Sequence, residues 1–138
     1  MQTTESLQLN LFEDSDPVLP EDFNANFRAI ESALLSRASI VTGTYAGTYV
    51  VGGSNNSSQV LTLPAKPLVI FIYGPSTTLT LVQGATAALG ADYSGLTSAC
   101  NVSWQGNSVS WLQNSDTRDF GCDRSGLTYH YIALVQEA

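Results

Sequence analysis

The feature that most constrains this chain is a change in its hydrophobic period near residue 38. Before that point the apolar residues recur at intervals of four, three and four, at Phe23, Phe27, Ile30 and Leu34. This spacing places them on one face of a helix, as the a and d positions of a heptad. From Ala38 onward apolar and polar residues alternate with a period of two, which is typical of half-buried strands. The sequence therefore predicts a short helix followed by a mainly β domain.

Changes in composition and hydrophobic period divide the chain into three segments. The first, residues 1–19, is acidic and weakly periodic, and we predict an extended attachment arm. Residues 20–37 form the short amphipathic, coiled-coil-like helix, because Pro20 suits a first helical turn and Glu21 and Asp22 suit its positive end. Residues 38–138 contain short strands separated by Gly- and Asn-rich turns. That pattern predicts an antiparallel β-sandwich, jelly-roll-like in type.

The sharpest local prediction is a β-hairpin around the dipeptide Gly106-Asn107. The flanking segments Asn101–Gln105 and Ser108–Leu112 alternate in polarity, so a two-residue turn fixes their register. Pairing across this turn sets Trp104 opposite Val109 and Val102 opposite Trp111. We predict that these four side chains share a core with two isoleucines of the run Leu68–Tyr73, so that the core contains Val102, Trp104, Val109, Trp111, Ile70 and Ile72.

Two segments show no clear solvent-facing side in the sequence. The run Leu68–Tyr73 is apolar on both faces, so we expect one face in the core and the other against a neighbour. Two heptads of helix are marginal alone, so the helix must pack either on its own copies or on the domain that follows. The narrow stripe favours self-association. We predict a homotrimer whose axis is lined by Phe23, Phe27, Ile30 and Leu34.

Composition excludes several classes of function. The formal net charge is −7 and only 12% of residues are charged, so no basic stripe exists to bind nucleic acid. No run reaches the roughly 20 apolar residues of a membrane span, and the start resembles no secretion signal. We expect synthesis in the cytosol, where Cys100 and Cys122 begin as thiols. They are either small buried hydrophobes or the partners of a disulfide formed after lysis.

Catalytic signals are sparse, and we predict no enzyme, no cofactor and no metal site. The single histidine, His130, lies in mid-strand without a serine–histidine–aspartate order around it. Three acids fall in one loop region, which favours a solvated loop over a carboxylate pair or a calcium site: Asp116, Asp119 and Asp123. We expect Asp116 and Arg118, and likewise Asp123 and Arg124, to neutralise each other at the surface.

Aromatic residues raise the question of glycan binding, because flat rings stack on saccharides. The hairpin register assigns the tryptophans to the core, so tyrosines with Asn and Ser neighbours are the better candidates. We name Tyr45, Tyr49 and Tyr93 as candidate glycan contacts.

Motifs at both ends resemble one family. The Asp16-Pro17 segment leads into the helix Asn24-Ala25-Asn26-Phe27-Arg28-Ala29-Ile30, and the chain closes on Ser125-Gly126-Leu127-Thr128-Tyr129-His130-Tyr131-Ile132-Ala133. Both runs are similar to those of tail-fibre and baseplate-appendage proteins of phages and prophages of Gram-positive bacteria. The resemblance implies a structural virion component, usually trimeric, made in the host cytoplasm and attached to tail or baseplate proteins through residues 1–19. The alternatives are a receptor-binding tip that recognises a bacterial surface glycan, and a part of a phage-derived bacteriocin.

Overall fold

The structure is a computed structural model that describes residues 1–115 and 117–136. Its described residues form two compact units, Met1–Arg37 and Ala38–Gln136. The division follows Arg37, at the position where the hydrophobic period changes. Of the sequence-based expectations, the role of Asp116 and the last two positions of the β domain lie outside the described residues.

The first unit contains the helix and a small hairpin. Helix α1 spans Pro20–Leu35, with Pro20 in its first turn and Glu21 and Asp22 at its positive end. Strand β1 (Gln2–Thr3) pairs antiparallel with strand β2 (Asn10–Leu11). The segment expected to be an extended arm therefore folds back on itself at its start.

The second unit is mainly β, as predicted, and consists of one antiparallel sheet that is nearly barrel-shaped. Its eight strands are β3 (Ala38–Ala46), β4 (Gln59–Thr62), β5 (Lys66–Tyr73), β6 (Thr77–Val82), β7 (Ala87–Asp92), β8 (Thr97–Gln105), β9 (Ser108–Gln113) and β10 (Thr128–Gln136). Their spatial order is β3-β10-β5-β6-β7-β8-β9-β4. Strands β5 to β9 form a meander, while β10 returns to lie between β3 and β5.

The predicted hairpin is confirmed in its register. Strands β8 and β9 pair with Trp104 opposite Val109 and Val102 opposite Trp111. Gly106 has a φ of 58°, the left-handed conformation that a tight hairpin turn requires and that glycine adopts without strain.

A single core fills the inside of the sheet. Its members come from both ends of the strand order and include the fully buried Trp111, Tyr129, Ile70 and Leu81. Tyr45 on β3 meets Trp111 on β9 edge to face, with ring centroids 5.8 Å apart, although these strands lie near opposite ends of the sheet. This contact brings the two ends of the sheet together around one interior.

Candidate functional site

Helix α1 exposes the apolar stripe that its sequence predicts. None of its residues is buried, and the four stripe side chains are 37–66% exposed: Phe23, Phe27, Ile30 and Leu34. Heptad spacing aligns these side chains along one face. The stripe is therefore an accessible apolar surface.

The N-terminal hairpin is held to α1 by two hydrogen bonds between the backbone of Asn10 and the side-chain amide of Asn26. The backbone N–H of Asn10 donates to Oδ1 of Asn26 at 2.6 Å, and Nδ2 of Asn26 donates to the carbonyl of Asn10 at 3.1 Å. Beside them Phe12 stacks on Phe23, with ring centroids 5.1 Å apart. The hairpin thus covers part of the stripe at Phe23.

The outer face of β3, β10, β5 and β6 carries a second apolar surface, which we call the apolar face. Strand register places its side chains in three rows across the four strands: Ile40–Leu134–Val69–Val82, Thr42–Ile132–Phe71–Thr80 and Thr44–His130–Tyr73–Thr78. Five large members are 51–70% exposed: Ile40, Phe71, Tyr73, Val82 and Ile132. None of the twelve is Asp, Glu, Lys or Arg. The described structure thus leaves an uncharged, largely apolar sheet surface uncovered.

The opposite half of the sheet has a different outer surface, which we call the polar face. Its rows across β4, β9 and β8 are Val60–Ser110–Ser103 and Thr62–Ser108–Gln105. The hydroxyls of Thr62 and Ser108 lie 2.7 Å apart and hydrogen-bond across the strands. Small hydroxyl and amide groups therefore face water here.

The single histidine lies within the apolar face. His130 is exposed and borders a shallow groove of about 300 Å³, lined also by Phe71, Tyr73, Thr80 and Ile132. Among the described residues that line this groove there is no carboxylate and no thiol. The imidazole therefore has no nearby acid to orient it for proton transfer.

The side chains predicted for the core point inward. Val102, Val109, Trp111, Ile70 and Ile72 are all buried. Trp104 is half-buried, packs against the margin of the core and donates from Nε1 to the carbonyl of Ala85 at 2.9 Å.

Two of the three tyrosines named as glycan contacts lie in the interior, so that expectation was wrong for them. Tyr49 is 5% exposed, and Tyr45 stacks on Tyr129 with centroids 5.5 Å apart while its hydroxyl donates to the carbonyl of Cys122. The period of two that predicts the strand does not say which of its faces is inside. Tyr93, in contrast, is 86% exposed.

The expected solvated acidic loop is wrong, because its second half enters the interior. All five residues Asp119–Asp123, which we call the plug, are buried. A Cβ added at Gly90 on β7 would lie 1.6 Å from the carbonyl oxygen of Phe120, so the plug crosses the sheet in direct backbone contact. Cys122 adopts a φ of 50°, a left-handed conformation that is strained for this residue type.

Side chains of the surrounding strands satisfy the backbone of the plug. Oε1 of Gln113 accepts from the N–H groups of Phe120 and Gly121, each at 3.0 Å. Nε1 of Trp111 donates to the carbonyl of Gly121 at 2.5 Å. Because unpaired backbone groups are costly in an interior, these bonds are what allows an irregular segment to lie there.

The two plug carboxylates differ in their partners. Asp119 accepts a hydrogen bond from the Tyr129 hydroxyl at 2.5 Å. The oxygens of Asp123 accept none among the described residues, although the side chain is fully buried. Burial, and then the nearby Asp119, raise the pKa of Asp123 to about 7. The complete burial of Asp123 separates this acid from external substrates.

The expected pairing of Asp123 with Arg124 is wrong, because the oxygens of Asp123 have no hydrogen-bond partner among the described residues, and Arg118 pairs with a different acid. Nη1 of Arg118 lies 2.9 Å from Oδ2 of Asp92, a carboxylate whose pKa is lowered by hydrogen bonds from Ser94 and by Arg118. Arg118 and Arg124 instead line a polar depression of about 350 Å³, together with Tyr93 and Thr117. This depression gathers hydroxyl, guanidinium and carboxylate groups, the last from Asp92 and Asp119, beside the exposed ring of Tyr93.

The cysteines are buried and not joined by a disulfide. Burial raises the pKa of both Cys100 and Cys122 to about 12, so both are protonated thiols at neutral pH. The described residues contain no group of three or more His, Cys, Asp and Glu that could hold a metal ion.

Sequence reasoning missed the plug and the breadth of the apolar face. The run Phe120-Gly121-Cys122, free of charge and set between two acids, was the available signal for the plug. The face required the pairing of β10 between β3 and β5, which no local pattern encodes.

No family model, no curated protein and no solved structure matches this chain. Within the described residues, no helix has the length and apolar character needed to cross a bilayer.

Proposed function

We propose that this protein is a structural, non-enzymatic component of a phage-like tail, a small tail-fibre or baseplate appendage that self-associates through α1 as a homotrimer. Residues 1–19 attach it to tail or baseplate proteins, and the β unit is presented outward. The observation that carries the proposal is the exposed apolar stripe of α1. The motifs at both ends that resemble tail appendages point to the same class.

The stripe favours copies of itself over a different partner for a geometric reason. Heptad positions on a helix pack best against other heptad positions, knobs into holes, around a common axis. Burying a large apolar side chain contributes about 1.5–3 kcal/mol, so Phe27, Ile30 and Leu34 of several copies supply a substantial driving force. A single helix of this length leaves that free energy unused.

We further propose that the β unit is sandwich-like, a flattened barrel whose two halves face each other. Inward side chains of β5 and β10 belong to the same core as those of β8 and β9. The edge-to-face contact of Tyr45 with Trp111 supports this closure.

The most reactive buried groups are held in unreactive states: both thiols are protonated at neutral pH, and Asp123 is fully buried. The second candidate function, recognition of a bacterial surface glycan, is favoured by one observation. Tyr93 is almost fully exposed beside the polar depression that holds Arg118 and Arg124.

The first experiment is a solution mass by light scattering on the purified protein. We expect about three times 14.7 kDa for the wild type. The double variant Phe27→Asp/Ile30→Asp should reduce the mass to that of one chain, because two buried charges would face each other at the axis.

The matched control is Ala25→Asp/Ser32→Asp, which adds the same charges on the opposite side of α1, where both positions are exposed. This control should keep the oligomer. A wild-type monomer, or a Phe27→Asp/Ile30→Asp variant of unchanged mass, would refute the association through α1.

A sedimentation assay with Gram-positive cell walls separates the second candidate from the first. If the polar depression binds glycan, wild-type protein should co-sediment and Tyr93→Ala should remain in solution, while Leu89→Ala, at an exposed position on β7 outside that depression, should still co-sediment. Equal behaviour of the two variants would remove Tyr93 from the proposal.

A further inference from the structure

The large side chains of the apolar face are left exposed by the described residues. Four strands spaced about 4.8 Å apart and three rows about 6.8 Å apart give it an area of about 400 Å². The largest apolar patches of monomeric proteins are of this order and are often functional. Here the patch also lacks the charged residues that normally break up an outer sheet surface.

We propose that the apolar face packs against the apolar faces of the other copies of this chain, so that the faces of the proposed homotrimer cover one another. The inference rests on the proposed self-association through α1 and deepens it, because it names where the β units touch. Its central pair is Phe71 and Ile132, which lie opposite each other on β5 and β10 and are each half exposed.

The chemistry of the face argues for a permanent, identical partner. Interface cores of homodimers are more apolar than other interfaces, and charged residues are depleted there. A surface that binds a transient partner normally has a polar rim and charged residues that steer the encounter. Here eleven of the twelve face residues are aliphatic, aromatic or threonine. A second copy brings the same uncharged surface and is made at the same time and place.

Chain continuity supplies the second argument. Only Ser36 and Arg37 separate the end of α1 from the start of β3, whose Ile40 belongs to the apolar face. Once the helices of several copies associate, their β units are held within a short tether. Such tethers give effective concentrations in the millimolar range, which convert a weak face-to-face contact into a populated one.

Area explains why the two surfaces need each other. A stable interface buries about 800 Å² on each partner, roughly twice what the apolar face offers. The face alone therefore falls short of a stable dimer, and the stripe of α1 provides the additional contact. We expect loss of either surface to weaken assembly.

The experiment measures protection of a thiol placed on the face, in the full-length protein. Thr80→Cys introduces an exposed thiol in the central row, and Ser103→Cys introduces a matched one on the polar face. The native Cys100 and Cys122 are fully buried and contribute little to fast labelling. We expect dithiobis(nitrobenzoic acid) to react about tenfold more slowly at Thr80→Cys than at Ser103→Cys.

A second measurement removes the contact itself. Phe71→Ser/Ile132→Thr should shift dissociation of the oligomer, followed by light scattering on dilution, to at least about tenfold higher protein concentration. Both substituted positions are exposed in the single chain, so circular dichroism should show an intact sheet.

The outcomes separate this inference from the proposed function. Equal labelling rates in an oligomeric protein would overturn the face contact and leave the α1 association standing. A protected Thr80→Cys in a protein that stays oligomeric after Phe27→Asp/Ile30→Asp would retain the face and remove the helix axis. A monomer with equal rates would overturn both.

Discussion

The two halves of the sheet share a backbone plan and one interior, yet their outer surfaces are opposite in character. On β4, β9 and β8 the outward positions are mostly Ser, Thr, Asn and Gln, whereas on β3, β10, β5 and β6 they are mostly aliphatic, aromatic and threonine, apart from His130, Gln136 and Lys66. Antiparallel pairing satisfies the backbone equally in both halves. What differs is the outer surface that each half presents: the polar face meets water with hydroxyl and amide groups, whereas we propose that the apolar face is covered by other copies of the chain.

The two halves of the sheet also differ in what specifies the register of their strands. In the β8–β9 hairpin, a slip of one residue would expose Trp111 and bury serines, so polarity alone fixes the pairing. Strand β5 is apolar on both sides and lacks that constraint. Its pairing with β10 contains an irregularity between Leu134 and Val135, after which the register resumes at Pro67. A local bulge of this kind re-sets a strand where alternation cannot.

The largest expected effect tests the interior that both halves share. Trp111→Ala should lower the free energy of unfolding by about 3–5 kcal/mol, because it empties a fully buried site and removes the bond to the Gly121 carbonyl. Chemical denaturation monitored by circular dichroism measures this. Trp104→Ala on the same hairpin is the matched control, and its half-buried ring should cost about half as much or less. Equal losses would mean that the plug does not depend on Trp111.

The second-largest expected effect concerns the pKa of the buried carboxyl group of Asp123 in the plug. The folded pKa of Asp123, about 7, lies above its ordinary value of 3.8, so the unfolded chain releases this proton first. The contribution of Asp123 to stability is therefore most favourable below pH 4 and declines as the pH rises to about 7, by about 2–4 kcal/mol. Asp123→Asn should lack this decline. If the free energies of unfolding of the wild type and of Asp123→Asn change in parallel from pH 4 to 8, the raised pKa of Asp123 is contradicted.

The smallest effect comes from giving the polar face the chemistry of the apolar one. Ser103→Ile/Ser110→Val would complete an apolar row with Val60 across β8, β9 and β4. We expect a change within about 0.5 kcal/mol in the free energy of unfolding, together with new concentration-dependent association in light scattering. Ser103→Thr/Ser110→Thr keeps the hydroxyls and should scatter like the wild type. An unchanged mass for the Ile/Val variant would show that an apolar row alone does not create an interface.

Sequence patterns predicted the local elements well and the closure poorly. The heptad stripe predicted α1 because helix periodicity is written in neighbouring residues, and the polarity of residues 101–112 predicted the β8–β9 register for the same reason. The alternation from Ala38 onward predicted β3 without its orientation. The threonines of residues 40–51 lie on the same side as Ile40, and glycines alternate with tyrosines on the other side, so the pattern did not identify the inner one. Tyr45 and Tyr49 were assigned to the surface, although Tyr49 is buried and Tyr45 is partly buried against the core.

The plug shows why the site itself could not be predicted in full. Asp119 and Asp123 flank a short segment that reads as a polar loop, and acids are rarely buried. Their burial depends on distant groups: the Gln113 amide that pairs with Phe120 and Gly121, and the Tyr129 hydroxyl that meets Asp119. These hydrogen bonds form only when the sheet closes around its core, and a short stretch of sequence does not include both partners.

The position of β10 between β3 and β5 has a consequence for the order in which the protein is made. This strand leaves the ribosome after the other seven strands, yet it is the one that joins β3 to the rest of the sheet. Until it arrives, β3 has no partner strand and the inner sides of β3 and β5 lack their central neighbour. Pairings this distant in the chain form slowly, and unfinished sheets are prone to aggregate. The nascent chain therefore passes through an interval in which β3 is unpaired and one edge of β5 is open, and only the final strand can pair with both.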